Sequence, residues 1–406
     1  MNRFSGAGRR NVIFMAATRK YRFHFWGMAI LTAVVLASFT WSNALAAGKK
    51  KKGSLKARSQ KIFVINTDIG MAYDDNIIDY SEADLATFDS LATIEKFAGL
   101  KSKNDWILTP QIRPQIRGRF VGGQLASLAM EYDYYYYLRN SVRRYSKFVI
   151  EGKHYFIPTG YIQVTYSYVP NYFYRNEPTG IYTSYIDSTA TPPRRRLSAN
   201  YDKAKFTKNQ IAAEIGYDIT KTLKGSAIYL YQHKSFNPVF KARDININRG
   251  EIDGIWKARP NLRLSADYGF ERGRSKLSGT MDSLDVSYDA WDITLGERYN
   301  LPVFSSYKPD VFGSIQFRRI IDQTSNFGDV YRVGRKDNNY LLRVGTSLTV
   351  LYGVRTEISY VYVRKKASIP NLYPDPIRNI PLTVAEIERE LDYTSNMISL
   401  RFTCDF

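Results

Sequence analysis

The 406-residue chain contains a single cysteine, Cys404, and only three histidines. One cysteine excludes an intrachain disulfide, so the fold must be held by other means even in an oxidising compartment. Histidine is the usual general base of serine and cysteine hydrolases. Here His154 and His233 stand in Lys153-His154-Tyr155 and Gln232-His233-Lys234, with no nucleophile motif beside either. There is no Gly-x-Ser-x-Gly, no His-Glu-x-x-His and no phosphate-binding loop. The chain is therefore expected not to be an enzyme and to need no cofactor and no metal. Long apolar runs are also missing. The longest, residues 28–39 (MAILTAVVLASF), falls short of the roughly 20 residues of a spanning helix. A mean hydropathy of −0.35 further excludes a bundle of membrane helices.

That short run follows Arg19, Lys20 and Arg22 and precedes Ala44-Leu45-Ala46, which fits a secretory signal cleaved after Ala46; an uncleaved anchor is the alternative. Residues 47–60 then read as a basic periplasmic tail, and 61–406 as one domain. The formal charge of +20 invites a nucleic-acid reading, but it is not spread along the chain. Lys49 to Lys52, Lys56, Arg58, Lys61 and the signal region hold most of it, leaving +7 for residues 62–406. No nucleic-acid partner is expected.

Beyond residue 60 the dominant pattern has period two, which marks strands with one apolar and one polar face. Leu262, Leu264, Ala266, Tyr268 and Phe270 alternate with Arg263, Ser265, Asp267, Gly269 and Glu271. Ile211 to Ile219, Leu342 to Val350 and Val354 to Tyr362 repeat it. Charges and glycines recur on the second face, tyrosines (32 in all) concentrate toward strand ends, and short connections alternate with long ones. These features predict an all-β fold, a transmembrane antiparallel up-and-down β-barrel whose second face lines a wet lumen. Strands are expected at about 61–76, 105–120, 122–139, 143–156, 160–172, 203–219, 223–235, 242–258, 261–275, 284–299, 309–322, 338–351, 354–366 and 392–406. The count is fourteen within a range of 12–16. Segment 143–156 could instead be a short amphipathic helix. Short turns fall on one side and long loops (77–104, 173–202, 323–337, 367–391) on the other. Ser81, with Asp84 three residues on, is a possible helix N-cap within the first long loop.

At the C-terminus, Ile398, Leu400, Phe402, Cys404 and the terminal Phe406 recur at every second position. This resembles the signal by which bacterial outer-membrane β-barrel proteins, porins among them, are read by the barrel-assembly machinery. The resemblance implies Ile398, Leu400, Phe402 and Phe406 as assembly signal, an outer-membrane location, and contact with outer-membrane lipid and lipopolysaccharide. Tyr73-Asp74-Asp75-Asn76 is similar to a pattern in many such barrels and names no family. It is read either as a calcium- or loop-organising cluster with Asp79, Glu82 and Asp84, or as plain turn chemistry.

For function, Gln111, Arg113, Gln115, Arg117 and Arg119 alternate with Pro110, Ile112, Pro114, Ile116 and Gly118. Arg113, Arg117 and Arg119 would then line one lumenal wall and favour anions. Alternatively they pair with lumenal carboxylates, Asp68, Asp74, Glu131 or Asp133. No segment reads as a plug or periplasmic domain. A passive or weakly selective pore for small hydrophilic solutes is the first reading. A non-conducting structural or surface-interaction barrel is the second, and a lipid-modifying enzyme the third.

Overall fold

In a computed structural model, which describes residues 63–88, 95–119, 123–187, 194–276, 285–302, 307, 309–323, 332–350, 354–369 and 391–405, the chain forms fourteen strands. They are β1 (Phe63–Asp74), β2 (Asp105–Arg119), β3 (Leu125–Tyr137), β4 (Tyr145–Ile157), β5 (Gly160–Asp187), β6 (Arg194–Asp218) and β7 (Leu223–Phe236). Then follow β8 (Ile245–Arg259), β9 (Leu262–Ser275), β10 (Tyr288–Asn300), β11 (Asp310–Asp322), β12 (Lys336–Thr349), β13 (Arg355–Ser368) and β14 (Tyr393–Asp405). Each strand pairs antiparallel with its sequence neighbours, and β1 closes on β14 through registers such as Ile69↔Phe402 and Tyr73↔Ile398. Closure leaves no sheet edge, so no disulfide is needed to protect one. The expected fourteen strands are all present. Segment 143–156 is strand β4, not a helix. The expected signal peptide, the tail and Phe406 lie outside the described residues.

Every strand exposes a large apolar side chain on its outer face: Ile69, Ile112, Leu128, Ile150, Tyr166, Ile215, Tyr229, Ile252, Tyr268, Ile293, Ile315, Leu342, Ile358 and Ile398, in strand order. Such a continuous belt is incompatible with water and matches the hydrocarbon band of a bilayer. Aromatics flank it at both ends, with Trp106 and Trp291 toward the long loops and Tyr217, Trp256 and Tyr299 toward the short turns. The chain is thus a bacterial outer-membrane β-barrel, with its long loops outside the cell. Fourteen strands at the usual tilt give a backbone radius of about 14 Å, wider than inward side chains alone fill.

One expected loop is largely strand. Residues 173–187 and 194–202 continue β5 and β6 well beyond the bilayer as a long paired extension. Its pairing shifts register at Val169/Tyr172, Phe173/Arg175 and Pro178/Tyr182, and Asn171 takes φ 47°. Bulges absorb Pro170 and Pro178, whose lack of an N–H would otherwise break the ladder. They also erase the period-two pattern, which is why the segment reads as loop.

Candidate functional site in the lumen and at the outer mouth

The inward face follows from the register. On β2 the exposed Leu108, Ile112 and Ile116 point outward, so Gln111, Arg113, Gln115, Arg117 and Arg119 point into the lumen. By the same alternation Asp68 and Asp74 on β1 and Glu131 and Asp133 on β3 point inward. Arg113 meets Glu151 of β4 at 3.0 Å and Glu131 at 3.6 Å, and Lys147 lies 3.2 Å from Glu131 and 3.1 Å from Asp133. Arg117 instead donates to Gln115 Oε1, and Arg119 donates to the Gly123 carbonyl. Asp74 accepts from Ser395 and from the Asn76 backbone. The structure therefore pairs one of the three arginines with carboxylates and leaves two bonded to neutral groups.

Sequence reading missed a second cluster, on β8–β11. Arg249 is ion-paired at 2.5 Å with both Glu251 and Asp292, and Arg318 is 2.8 Å from Glu271. Glu271 also accepts from the Tyr288 hydroxyl. Gly269 lies beneath the Arg249 guanidinium, where a Cβ would overlap it. The alternation around Gly269 and Glu271 was visible, but partners on four strands cannot be matched without the register. In a ring of fourteen, β3 and β10 stand seven strands apart, so the two clusters occupy opposite walls.

Toward the short-turn end the inward side differs. Arg117, Arg119, Arg263 and Arg401 point into the barrel yet are exposed. Exposure of inward side chains requires room for water beside them.

At the outer end that room is taken by the first long loop, of which residues 75–88 and 95–104 are described. Ser81 caps α1 (Glu82–Phe88), its Oγ accepting from the Asp84 N–H at 3.1 Å, as the sequence predicted. Ile77, Ile78, Tyr80, Phe88 and Phe97 form a buried core with Ile107 of β2 and Tyr137 of β3, against which Tyr135 and Tyr145 pack. Those four wall residues lie on the inward face, so the loop folds into the mouth. This corrects the expectation of a barrel with nothing resembling a plug. The loop's signature was the apolar run Ile77-Ile78 with Tyr80, Phe88 and Phe97.

Asn76 fastens the loop. Its Nδ2 donates to the carbonyls of Tyr80 at 2.8 Å and Thr394 at 2.9 Å, and its Oδ1 accepts from the Tyr80 N–H. Asp75 accepts from the Asn396 backbone and side chain. The Tyr73-Asp74-Asp75-Asn76 motif thus ties loop to β14. Asp84 pairs with Lys96 at 2.6 Å, and no group of side chains that could hold a metal occurs among the described residues.

The β5–β6 hairpin completes the mouth. Asn176 donates to the carbonyls of Lys96 and Ala98, joining the hairpin to the loop. Buried Glu177 pairs with Arg175 and, at 3.0 Å, with Arg243 of the β7–β8 connection. Burial pushes its carboxyl up, but Arg175, Arg243 and Arg332 outweigh this and hold it at about 2.

No protein-family model and no curated protein matches the chain. Among solved structures it is similar to a bacterial polysaccharide outer membrane secretin, at 8% identity and TM-score 0.40, over 84% of this chain and 98% of that one. It is also similar to an anion-selective porin from Comamonas acidovorans (10%, TM-score 0.38, 85% and 98%). OmpT, an outer membrane protein of Vibrio cholerae, gives 9%, TM-score 0.41, 85% and 100%.

Proposed function

We propose that this barrel is a passive, weakly selective pore for small hydrophilic solutes, narrowed at its outer mouth by the loop of residues 75–104. The observation that carries this is the exposure of Arg117, Arg119, Arg263 and Arg401 on inward faces, which calls for a water-filled inner half. Weak selectivity follows from pairing. Arg113, Lys147, Arg249 and Arg318 are matched by carboxylates no more than two strands away, so neither wall projects a strong field of one sign. The anion-selective wall of three arginines accordingly reduces to Arg117 and Arg119. No enzymatic role is proposed, since neither His154, on the lipid-facing side of β4, nor His233 is set beside a nucleophile.

A second reading, a barrel that does not conduct, is favoured by the buried core in the mouth. Planar-bilayer recording of the refolded chain, with and without residues 77–103 replaced by a short Gly-Ser turn, separates the two. The pore reading expects small discrete steps from the native chain and clearly larger ones from the replacement. Silence from both, with heat-modifiable folding intact, establishes the non-conducting barrel.

A further inference from the structure

The outward face of the barrel is not uniform around its circumference. On β9–β13 an aromatic strip formed by Phe270, Trp291, Phe317 and Tyr340 marks the outer boundary of the apolar belt, with Trp291 and Tyr340 each about one ring contact from Phe317 (5.2 and 5.3 Å). Arg272 and Arg274 of β9, Arg319 of β11, Lys336 of β12, and Arg364 and Lys366 of β13 all point outward at or just beyond that strip. Register places them within a few residues of one another across the strands: Trp291 faces Arg319, Arg319 faces Asn338, and Asn338 faces Lys366. On β1–β4 the corresponding outward positions are Tyr73, Trp106, Tyr136 and Ser146, and on β7–β8 they are Tyr231 with Asn248 and His233 with Asn246.

Among the described residues, the only outward carboxylate within this patch is Asp289, which pairs with Arg272 at 3.0 Å and Arg274 at 2.8 Å. Among the described residues, Arg319, Lys336, Arg364 and Lys366 have no carboxylate within ion-pair distance. The Arg319 Nε is moreover buried without a hydrogen-bond partner. Charges on a lipid-facing wall destabilise a barrel unless they lie at the interface. Unneutralised guanidinium groups there call for an acceptor from the membrane itself. Phosphate suits them, since it takes paired charge-assisted bonds from arginine. The patch spans four strand intervals, roughly 19 Å, enough for a headgroup bearing more than one phosphate.

We infer that the outer face of β9–β13 is a binding site for a phosphorylated, acylated glycolipid of the outer leaflet, with Arg319, Arg364 and Lys366 holding its phosphates and the aromatic strip lying along its acyl chains. The site is independent of whether the lumen conducts. It is tested by refolding the full chain in neutral detergent and titrating it with diphosphorylated lipid A, followed by native mass spectrometry. The same lipid after enzymatic dephosphorylation, and inorganic phosphate as competitor, serve as further probes. The native chain should retain lipid A about tenfold or more tightly than the Arg319→Gln/Arg364→Gln/Lys366→Gln variant or than it retains the dephosphorylated lipid. A Lys203→Gln/Lys205→Gln variant on β6, outside the patch, should bind as the native chain does. Equal retention by the triple variant, equal binding of the dephosphorylated lipid, or displacement by equimolar inorganic phosphate each overturns the assignment. Should the triple variant fail to become heat-modifiable, Arg319→Gln alone carries the test, with the same outcomes.

Discussion

The two ends of this barrel treat inward-pointing residues in opposite ways. At the outer mouth, inward-pointing Ile107, Tyr135, Tyr137 and Tyr145 are roofed by a loop and become the floor of a dry core. At the other end, inward-pointing Arg117, Arg119 and Arg263 face open space. Strand alternation decides only which side a residue faces; what it meets there is decided by the connections. A polar group in the dry region must find a protein partner, whereas one in the wet region has water. Asn76, only 1% exposed, makes three hydrogen bonds of 2.8–3.0 Å, while Arg119 rests on a single backbone carbonyl.

That contrast is broken most strongly at Asn76. Asn76→Ala leaves the Tyr80 N–H and the Tyr80 and Thr394 carbonyls without their partner in a place water does not reach. The expected cost to loop docking is about 3–5 kcal/mol, since each orphaned buried group is worth about 1–3 kcal/mol. Loop residues 75–104 should become sensitive to limited proteolysis in the folded protein, while the barrel itself stays heat-modifiable. A loop as resistant as in the native chain would show that the apolar core holds the mouth without Asn76.

Fourteen strands, their sidedness and the inward set on β2 were all legible in the sequence, because period two is a local property and survives wherever a strand has one lipid face and one lumenal face. The helix cap at Ser81 was legible for the same reason. The mouth was not. Residues 173–187 and 194–202 are strand in which bulges shift the phase around Pro170, Asn171 and Pro178. The packing of Phe97 and Tyr80 on inward-facing Tyr137 joins residues that no local pattern connects. Half of the lumenal clusters was foreseen. Glu131 and Asp133 were named as partners on β3, but Glu151 and the Arg249–Asp292 pair depend on register across several strands.

Glu177 sharpens the comparison through pH. Its folded-state value of about 2 lies below the ordinary 4.5, so its ionised form favours the folded mouth. The stabilisation is present above about 4.5 and is lost as pH falls through about 2; it amounts to about 2–3 kcal/mol, the buried groups being shielded from solvent. Amide protection factors around Glu177 and the 238–243 turn, which correct for the intrinsic pH dependence of exchange, should therefore stay high from pH 8 to about 5 and fall only as the pH approaches about 2. In Glu177→Gln that acid-dependent step should vanish and protection should be lower throughout. Loosening already near pH 5 in the native protein would mean that the carboxylate is not held by Arg175 and Arg243.

The smallest expected effect comes from the wet region, where Arg117 and Arg119 have no carboxylate partner among the described residues and Arg113 has two. Replacing Arg117 and Arg119 with Gln removes charge from a wall where water already satisfies the side chains. Stability should change by about 0–1 kcal/mol, as for exposed charges generally. If the lumen conducts, the reversal potential in a salt gradient should nevertheless move slightly toward cations, because lumenal charge tunes selectivity even where it adds nothing to the fold. Arg113→Gln should behave in the opposite sense. It leaves Glu151 without its 3.0 Å partner and Glu131 with Lys147 alone, so the urea midpoint should fall. The potential should then move less per charge removed than in the double variant, because the Arg113 charge is already offset within its own cluster. Equal shifts per charge in the two variants, with equal stability, would show that Arg113 faces water as freely as Arg117, and that the pairing seen on β2–β4 does not separate a filled part of the lumen from an open one.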